Sequence, residues 1–353
     1  MRFFENPLYK EDVSYVAGLD LPWEKLKEKS IMISGATGLV GSFLIDVLMY
    51  KNINEKLGCT VVALGRSRER ANQRFEYCKD SQFYKFISYD VNEILNNDVI
   101  DCVDYVLHMA SNTHPMQYST DPIGTITTNI IGTKNMLDFA EEHGAIRCVF
   151  TSSNEIYGEN RGDVEKFKEE YCGYINCNTM RAGYTESKRC GEALCQAYIK
   201  QKNMDVVIPR LTRTYGPSLL KTDTKALSQF IHKGVAGENI VLKSTGTQYF
   251  SFLYVADTVS GLLTILLKGI AGEAYNIADD ASDIMLKDLA AIIADYTGKK
   301  VVFDIPNEIE SAGYSKATKA RLDSEKLKKL GWNAKYDIKS GVERTIDVLK
   351  DED

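Results

Sequence analysis

Gly35-Ala36-Thr37-Gly38-Leu39-Val40-Gly41 is the glycine-rich segment from which the fold of this chain can be predicted. It follows the apolar run Ile31-Met32-Ile33 and precedes residues 43–49, whose apolar side chains recur as in a helix. The order is therefore strand, glycine turn, helix. Glycines in such a turn let the backbone approach a pyrophosphate closely, and the helix N-terminus points N–H groups toward it. The stretch predicts the first βα unit of a dinucleotide-binding sheet.

Strand-like apolar segments alternate with helical patterns through the first 210 residues. The predicted strands are 31–34, 60–64, 86–89, 105–109, 148–152 and 205–208, and the helices between them include 123–143 and 182–202. This alternation predicts a Rossmann-type, doubly wound parallel sheet with crossover helices. After Pro209 the pattern loosens into helix 224–234, strand 240–243 and helix 255–268, which predicts a smaller mixed α/β domain.

The predicted domain organisation follows from these patterns. Residues 1–29 form an N-terminal extension to which the sequence assigns no role. Residues 30–208 form the dinucleotide-binding domain, and residues 209–353 form mainly a substrate-binding domain. A segment near 250–270 is expected to return to the first domain.

Tyr184 and Lys188 stand four residues apart in the predicted helix 182–202 and therefore share one helix face. An ammonium group beside a phenol favours the phenolate, so Lys188 is expected to lower the pKa of Tyr184 and make it a base near neutral pH. The same spacing also fits a solvated helix face. The glycine turn in the same chain favours the base.

Composition excludes several classes of protein. The net charge of the 353 residues is -6 at pH 7 and there is no Lys/Arg-rich run, which argues against a nucleic-acid partner. No apolar run approaches the roughly 18 residues that span a bilayer, and the N-terminus lacks the apolar core of a signal peptide. We expect a cytoplasmic protein with no membrane partner. Eight scattered cysteines and four unclustered histidines predict neither a metal site nor a disulfide framework.

Taken together, the motifs resemble the extended short-chain dehydrogenase/reductase family of NAD-dependent epimerases and dehydratases, which modify nucleotide sugars. Further marks of the resemblance are Asp90-Val91, His108-Met109-Ala110-Ser111, Thr128-Asn129, Arg213-Thr214-Tyr215-Gly216-Pro217 and Leu330-Gly331-Trp332. Ala110-Ser111-Asn112-Thr113-His114-Pro115 and Met180-Arg181-Ala182-Gly183-Tyr184 look closest to the UDP-glucuronate decarboxylase branch. The resemblance also implies a homodimer formed through the two long helices.

The resemblance implies an active site. Tyr184 would remove a hydroxyl proton from the sugar as hydride leaves for the nicotinamide, Ser153 would hydrogen-bond the same oxygen, and Lys188 would hold the ribose. Glu155 would be either a second proton carrier or a carboxylate bound to backbone amides. Implied cofactor contacts are Gly35, Thr37, Gly38, Leu39, Val40, Gly41, Arg66, Ser67, Asp90, Val91, Met109, Ala110, Ser111, Asn129, Tyr184 and Lys188. Implied substrate contacts are Ser111, Asn154, Arg181, Arg213, Lys221, Lys225 and Phe250.

The second predicted strand ends in Leu64-Gly65-Arg66-Ser67, with no acid to hydrogen-bond a ribose 2′-hydroxyl. Arg66 with Ser67 suits a 2′-phosphate, so NADP(H) is favoured over NAD(H). The alternative is that Arg66, Arg68 and Arg70 belong to the solvated start of a helix.

Three residues depart from the pattern of the relatives. Asn154 stands where dehydratases carry an aspartate that protonates the departing water, so simple 4,6-dehydration loses support. Phe250 stands where relatives place an arginine on the diphosphate, and Arg213 stands where they carry asparagine. We expect Arg213, with Lys221 or Lys225, to bind the diphosphate; alternatively the substrate is a smaller or singly phosphorylated sugar.

The favoured function is oxidation of a nucleotide-activated sugar to a keto intermediate, followed by epimerisation or decarboxylation, with the cofactor returned unchanged. The first alternative is a net reductase that consumes NADPH on an activated or phosphorylated sugar. The second is a cofactor-sensing module without turnover, against which the intact Ser153, Tyr184 and Lys188 argue.

Overall fold

The computed structural model describes residues 3–96, 100, 102–113, 118, 120–305 and 318–351. In this part of the chain the strands are β1 (Ser30–Ser34), β2 (Thr60–Gly65), β3 (Tyr84–Ser88), β4 (Tyr105–His108), β5 (Arg147–Phe150), β6 (Ser152–Ser153), β7 (Val206–Leu211), β8 (Arg213–Tyr215), β9 (Ile240–Leu242), β10 (Tyr249–Tyr254), β11 (Ala274–Ile277), β12 (Asp283–Met285), β13 (Val301–Phe303) and β14 (Lys319–Ala320). The α-helices there are α1 (Pro7–Ala17), α2 (Leu39–Glu55), α3 (Arg68–Arg74), α4 (Pro122–Glu142), α5 (Ala182–Lys202), α6 (Ala226–Val235), α7 (Val255–Lys268), α8 (Leu286–Thr297), α9 (Glu325–Lys328) and α10 (Ile338–Lys350).

The central sheet has the strand order β11-β7-β5-β4-β1-β2-β3, with the short β6 beside β7. Its strand pairs are parallel. The chain winds outward from β1 to β3 and then returns to place β4 on the other side of β1. Open parallel sheets bind ligands at the carboxyl ends of the strands where the order reverses, which here is between β1 and β4.

The later part of the chain builds smaller sheets beside this carboxyl edge. Within the described residues, β10 pairs with β8, β12 and β14, and β9 pairs with β13. Helix α6 packs against α8, and α10 packs against α6 and β10. These elements cover one side of the cleft that the central sheet leaves open.

The predicted Rossmann-type α/β fold is confirmed. The division into domains stays a prediction; α7, in the segment expected to return to the first domain, packs against α2 and β7, while β11 joins the central sheet. Helix α6 begins at Ala226 rather than at residue 224. The reason is local, because the Lys225 backbone N–H donates to Asp223 Oδ1 at 2.9 Å and holds a turn before the helix.

The N-terminal extension, to which the sequence assigned no role, contains α1, which packs against α2, α7 and α10. Asp12 of α1 is fully buried and accepts hydrogen bonds from the hydroxyls of Tyr254 and Tyr336, each at 2.6 Å. Arg344 forms an ion pair with the same carboxylate at 2.8 Å. A buried carboxylate is stable only when such partners replace water, so Asp12 joins α1 to the end of β10 and to α10.

Asp12→Ala should lower the free energy of unfolding by about 3–5 kcal/mol, because Arg344 and the two tyrosine hydroxyls lose their shared acceptor. Glu11→Ala is the matched control. Glu11 also pairs with Arg344, at 2.9 Å, but its side chain is 56% exposed, so its loss should cost about 1 kcal/mol or less. Chemical denaturation followed by circular dichroism measures both variants. Equal losses would contradict the role given to the buried carboxylate.

Candidate active site

The turn between β1 and α2 consists of glycines in close contact with the neighbouring backbone. Gly35 has a φ of +71°, and a Cβ there would lie 2.9 Å from the carbonyl carbon and oxygen of Met109. A Cβ on Gly41 would lie 2.5 Å from the Gly35 carbonyl oxygen. Gly38 caps α2 without a side chain, so the first N–H groups of the helix stay open to a ligand. An anion can therefore approach this backbone closely.

A cavity of about 750 Å³ begins at this turn and follows the carboxyl edge of the central sheet to the start of α6. Its volume lies within the range of small-molecule sites. The predicted site residues that line it are Gly35, Thr37, Gly38, Leu39, Val40, Gly41, Arg66, Ser67, Asp90, Val91, Met109, Ala110, Ser111, Ser153, Asn154, Glu155, Arg181, Tyr184, Lys188, Arg213, Lys225 and Phe250. Asn129 and Lys221 are the predicted residues that do not line it.

Asn129 lies behind the cavity wall. It is fully buried in α4, its Oδ1 accepts a hydrogen bond from Ser111 Oγ at 2.7 Å, and its Nδ2 donates to Ser187 Oγ at 2.9 Å. The amide therefore orients Ser111, which does line the cavity. Lys221 is exposed, in the segment before α6.

Ser34, the last residue of β1, binds the backbone that follows the end of β4. Its Oγ accepts hydrogen bonds from the backbone N–H groups of Met109 and Ala110 at 3.0 and 3.1 Å. The same hydroxyl contacts His108 Nδ1 at 2.9 Å, and burial lowers the pKa of His108 to about 3. His108 is thus a neutral, hydrogen-bonded side chain behind the cavity.

Tyr184 and Lys188 lie on one face of α5 and both line the cavity. Burial raises the pKa of Tyr184 to about 12, although hydrogen bonds from Ser153 and Ser111 lower it. Lys188 is 3% exposed and its Nζ donates to the Thr151 carbonyl oxygen at 2.8 Å. Burial lowers the pKa of Lys188 to about 8.

Burial therefore works against the expected phenolate of Tyr184 near neutral pH. Moving each group out of water disfavours its charged form. The sequence spacing brings the two side chains to one face, as predicted, but it does not show how deeply they are buried.

Ser153, Asn154 and Glu155 follow β5 and reach the cavity through the short β6 and the 3₁₀-helix Asn154–Tyr157. Ser153 Oγ accepts a hydrogen bond from the Glu155 backbone N–H at 3.2 Å and so caps this helix. Arg181 Nη2 donates to both carboxylate oxygens of Glu155, at 3.0 and 3.2 Å. The partner of Glu155 is thus a side chain and not the backbone amides of the alternative interpretation.

Arg213 and Phe250, two separate departures in the sequence, form one contact in the structure. The guanidinium carbon of Arg213 lies 3.8 Å from the centre of the Phe250 ring. Burial lowers the pKa of Arg213 to about 10, with Glu155 raising it and Arg181 lowering it. Arg213 therefore stays protonated at neutral pH inside the cavity.

The first turn of α6 forms the far end of the cavity. Lys225 is its N-cap residue without a side-chain cap, and Ala226, Leu227 and Ser228 follow it along the cavity wall. Ser228 is 2% exposed and its Oγ has no hydrogen-bond partner among the described residues. A helix N-terminus with an unpartnered hydroxyl and a nearby ammonium group suits an anion.

At the opposite end, Arg66 is exposed on the cavity rim. Ser67 caps α3, and its Oγ accepts a hydrogen bond from the Arg70 backbone N–H at 3.2 Å. Arg70 also lines the cavity, although it was not among the predicted site residues.

Other cavity residues were not predicted either. Tyr118 stacks on Tyr184 with ring centres 4.8 Å apart, and Thr151 supplies the acceptor for Lys188. No local pattern marks the carbonyl of Thr151, whereas Tyr118 follows by three residues the segment Ala110-Ser111-Asn112-Thr113-His114-Pro115, which carries the family resemblance. His114 and Pro115 of that segment lie outside the described residues.

Across the described ranges, no group of three or more His, Cys, Asp or Glu side chains is placed to hold a metal ion. No helix in those ranges has the length and apolarity that crossing a membrane requires. All eight cysteines are free thiols.

Comparison with known proteins agrees with this geometry. The model of the NAD dependent epimerase/dehydratase family matches residues 31–278. UDP-glucuronic acid decarboxylase 1 of Xenopus tropicalis is 30% identical over 325 residues, which are 92% of this chain and 73% of that protein. UDP-glucuronic acid decarboxylase 5 of Arabidopsis thaliana is 32% identical over 321 residues, which are 88% of this chain and 86% of that protein. The resemblance to the decarboxylase branch is confirmed.

Among solved structures, UDP-glucuronic acid 4-epimerase from Bacillus cereus, in complex with UDP-glucuronic acid and NAD, superposes with a TM-score of 0.78. The two chains are 21% identical, and the match covers 92% of this chain and 99% of that one. At this identity the likeness shows a shared fold. The family model matches residues 31–278, a range that contains the glycine turn, Ser153, Tyr184 and Lys188, and this protein therefore belongs to the NAD dependent epimerase/dehydratase family of enzymes.

Proposed function

We propose that this enzyme oxidises a hydroxyl group of a nucleotide sugar to a ketone and then epimerises or decarboxylates the keto intermediate. The observation that carries the proposal is the continuity of the cavity. It joins the glycine turn, the Ser153, Tyr184 and Lys188 cluster, and the first turn of α6. A cofactor at one end and a nucleotide sugar at the other would meet at Tyr184.

The residues at the glycine turn fit a dinucleotide. Gly35 and Gly41 leave no room for a side chain, and the uncapped start of α2 faces the space where a pyrophosphate would lie. A bound nicotinamide dinucleotide would supply the hydride acceptor and, when oxidised, a positive charge near the phenol. Lys188, held by the Thr151 carbonyl, has two further N–H groups for a ribose.

Side chains of the protein itself carry out the transfer of the sugar hydroxyl proton. Tyr184 would act as the phenolate, whose oxygen accepts the sugar hydroxyl proton and becomes a phenol, and hydrogen bonds from Ser153 and Ser111 stabilise that phenolate. Glu155, oriented by Arg181, is the nearby carboxylate for a second proton transfer. Asn154 lines the cavity as an amide, which favours epimerisation or decarboxylation over loss of water.

The start of α6 supports a nucleotide diphosphate as part of the substrate. The Lys225 ammonium group and the Ser228 hydroxyl can each donate a hydrogen bond to phosphate oxygens, and the helix dipole adds partial positive charge there. The relatives with 30–32% identity carry UDP-glucuronic acid in their names, which agrees with such a substrate.

We infer further that NADP(H) is preferred over NAD(H). Arg66 and Arg70 bring two positive charges to the cavity rim beyond β2. The Ser67 hydroxyl accepts from the Arg70 backbone, which leaves its proton available to a phosphate oxygen. The same arginines support the second candidate function, a net NADPH-consuming reductase. A homodimer and a cytoplasmic location also stay proposals.

Tyr184→Phe should lower kcat by about 10²- to 10⁴-fold, because the variant loses the group that accepts the hydroxyl proton. Binding of the nucleotide sugar should change little. Tyr198→Phe is the control, since Tyr198 lies on the same helix and bonds Asp138 away from the cavity. Product formation and the absorbance of the reduced nicotinamide are followed together. Unchanged turnover in Tyr184→Phe would contradict the assigned base, and steady NADPH loss in the wild type would favour the reductase.

Arg66→Ala should weaken NADP binding by about 10- to 100-fold, the loss expected of a charge-assisted contact, and leave NAD binding nearly unchanged. Arg68→Ala is the control, because Arg68 lies over the Phe86 ring at 5.3 Å and does not line the cavity. Isothermal titration with each cofactor gives both dissociation constants. Tighter binding of NAD than NADP by the wild type would refute the inference about the 2′-phosphate.

A homodimer formed through α4 and α5 should have twice the molar mass of one chain in solution. The two helices pack against each other, and α4 exposes Ile123, Ile126 and Ile131 at spacings that share one face. Light scattering should give twice the chain mass for the wild type and the chain mass for Ile123→Glu combined with Ile131→Glu. Ile53→Glu, at an exposed isoleucine of α2, is the control and should stay dimeric. A monomeric wild type would exclude this interface.

A further inference from the structure

One nitrogen of the Arg213 side chain lacks the hydrogen-bond partner that other cations of the cavity have. Arg181 pairs with Glu155, Lys188 donates to the Thr151 carbonyl oxygen, and Lys225 lies 3.7 Å from Asp223. By contrast, Nη1 of Arg213 is buried and has no hydrogen-bond partner within the described residues. A buried guanidinium left in this state is costly, so the site is suited to an anion from a ligand.

Strand register places Arg213 near Ser153. Ser153 of β6 pairs with Leu211 of β7, and Arg213 stands two residues further along the chain, a distance of roughly 7 Å in extended backbone. The charges that act on Arg213 are Glu155 and Arg181, which stand two residues after Ser153 and three residues before Tyr184 in the chain. The sequence expected Arg213 to bind the diphosphate, whereas these neighbours favour a position beside Ser153 and Tyr184.

Phe250 fixes the orientation of the guanidinium. Phe250 and Phe252 are two residues apart, so they lie on the same face of β10, and both line the cavity. Arg213 of β8 pairs in register with Phe252. With its central carbon 3.8 Å from the Phe250 ring centre, the guanidinium lies over the ring face. Stacking occupies the face and leaves the N–H groups along the edge, the arrangement that binds a planar carboxylate with two parallel hydrogen bonds.

The Glu155 carboxylate is already paired with another side chain of the protein. Arg181 Nη2 donates to both oxygens of Glu155, so one guanidinium and one carboxylate are matched and a second guanidinium remains. The phosphates have a separate site in the first turn of α6 with Lys225 and Ser228. The charge on Arg213 therefore calls for an additional anionic group on the sugar itself.

We propose that Arg213, seated on Phe250, binds a carboxylate carried by the sugar ring and so selects nucleotide-linked uronic acids over the corresponding neutral hexoses. The proposal rests on the proposed function and adds to it the residue that reads the sugar. Arg213 is a specificity-determining residue and takes no part in proton transfer.

The test compares binding of UDP-glucuronic acid, UDP-glucose and UDP by isothermal titration, with reduced cofactor present to prevent oxidation. Arg213→Gln should weaken UDP-glucuronic acid by about 30- to 100-fold, the loss expected of a charge-assisted hydrogen bond, and change UDP-glucose and UDP by about threefold or less. Phe250→Leu keeps the charge but removes the ring, so it should weaken only UDP-glucuronic acid, and by a smaller factor. Arg161→Gln is the matched control, because Arg161 also stacks on an aromatic ring, Tyr174 at 4.1 Å, but lies outside the cavity.

Two results would overturn the inference while leaving the proposed function intact. If Arg213→Gln weakens all three ligands alike, Arg213 binds the diphosphate. If the substitution leaves the binding of all three ligands unchanged, Arg213 binds no anionic group of the substrate. A wild type that binds neither UDP nor either UDP-sugar would instead contradict the proposed nucleotide-sugar function.

Discussion

The close approach of the β1–α2 turn to the end of β4 is the contact on which the rest of the molecule depends. Only glycine at position 35 allows it, since any Cβ would lie 2.9 Å from the Met109 carbonyl. Ser34 holds the facing backbone by accepting from Met109 and Ala110. This contact starts α2 with open N–H groups at the reversal of strand order. Because parallel strands end at the same edge, the residues after β5 and β7 reach the same cleft.

Burial shifts the pKa of three side chains in that cleft. It raises the pKa of Tyr184 to about 12, lowers that of Lys188 to about 8, and lowers that of Arg213 to about 10. Each shift reflects the cost of keeping a charge away from water. A ligand group of opposite charge would reduce this cost, as an anion would for the buried guanidinium of Arg213.

Residues with a local signature could be predicted from the sequence. The glycine turn, the shared face of Tyr184 and Lys188, and the polar residues after β5 all line the cavity. Residues whose role depends on distant partners could not. Asn129 supports Ser111 from behind, Thr151 acts through its carbonyl oxygen, and Asp12 is buried against residues more than 240 positions away. None of these leaves a periodic or spacing pattern, since each depends on which elements pack together.

The strand and helix alternation, the glycine turn and the shared helix face of Tyr184 and Lys188 could be predicted from the sequence, because each follows from short-range periodicity or spacing. The burial of Tyr184, the pairing of Glu155 with Arg181 and the stacking of Arg213 on Phe250 depend on the tertiary structure. Residues 213 and 250 are far apart in the chain and meet because β8 and β10 are neighbours. Burial and long-range pairing arise from packing, and no stretch of sequence read alone contains them.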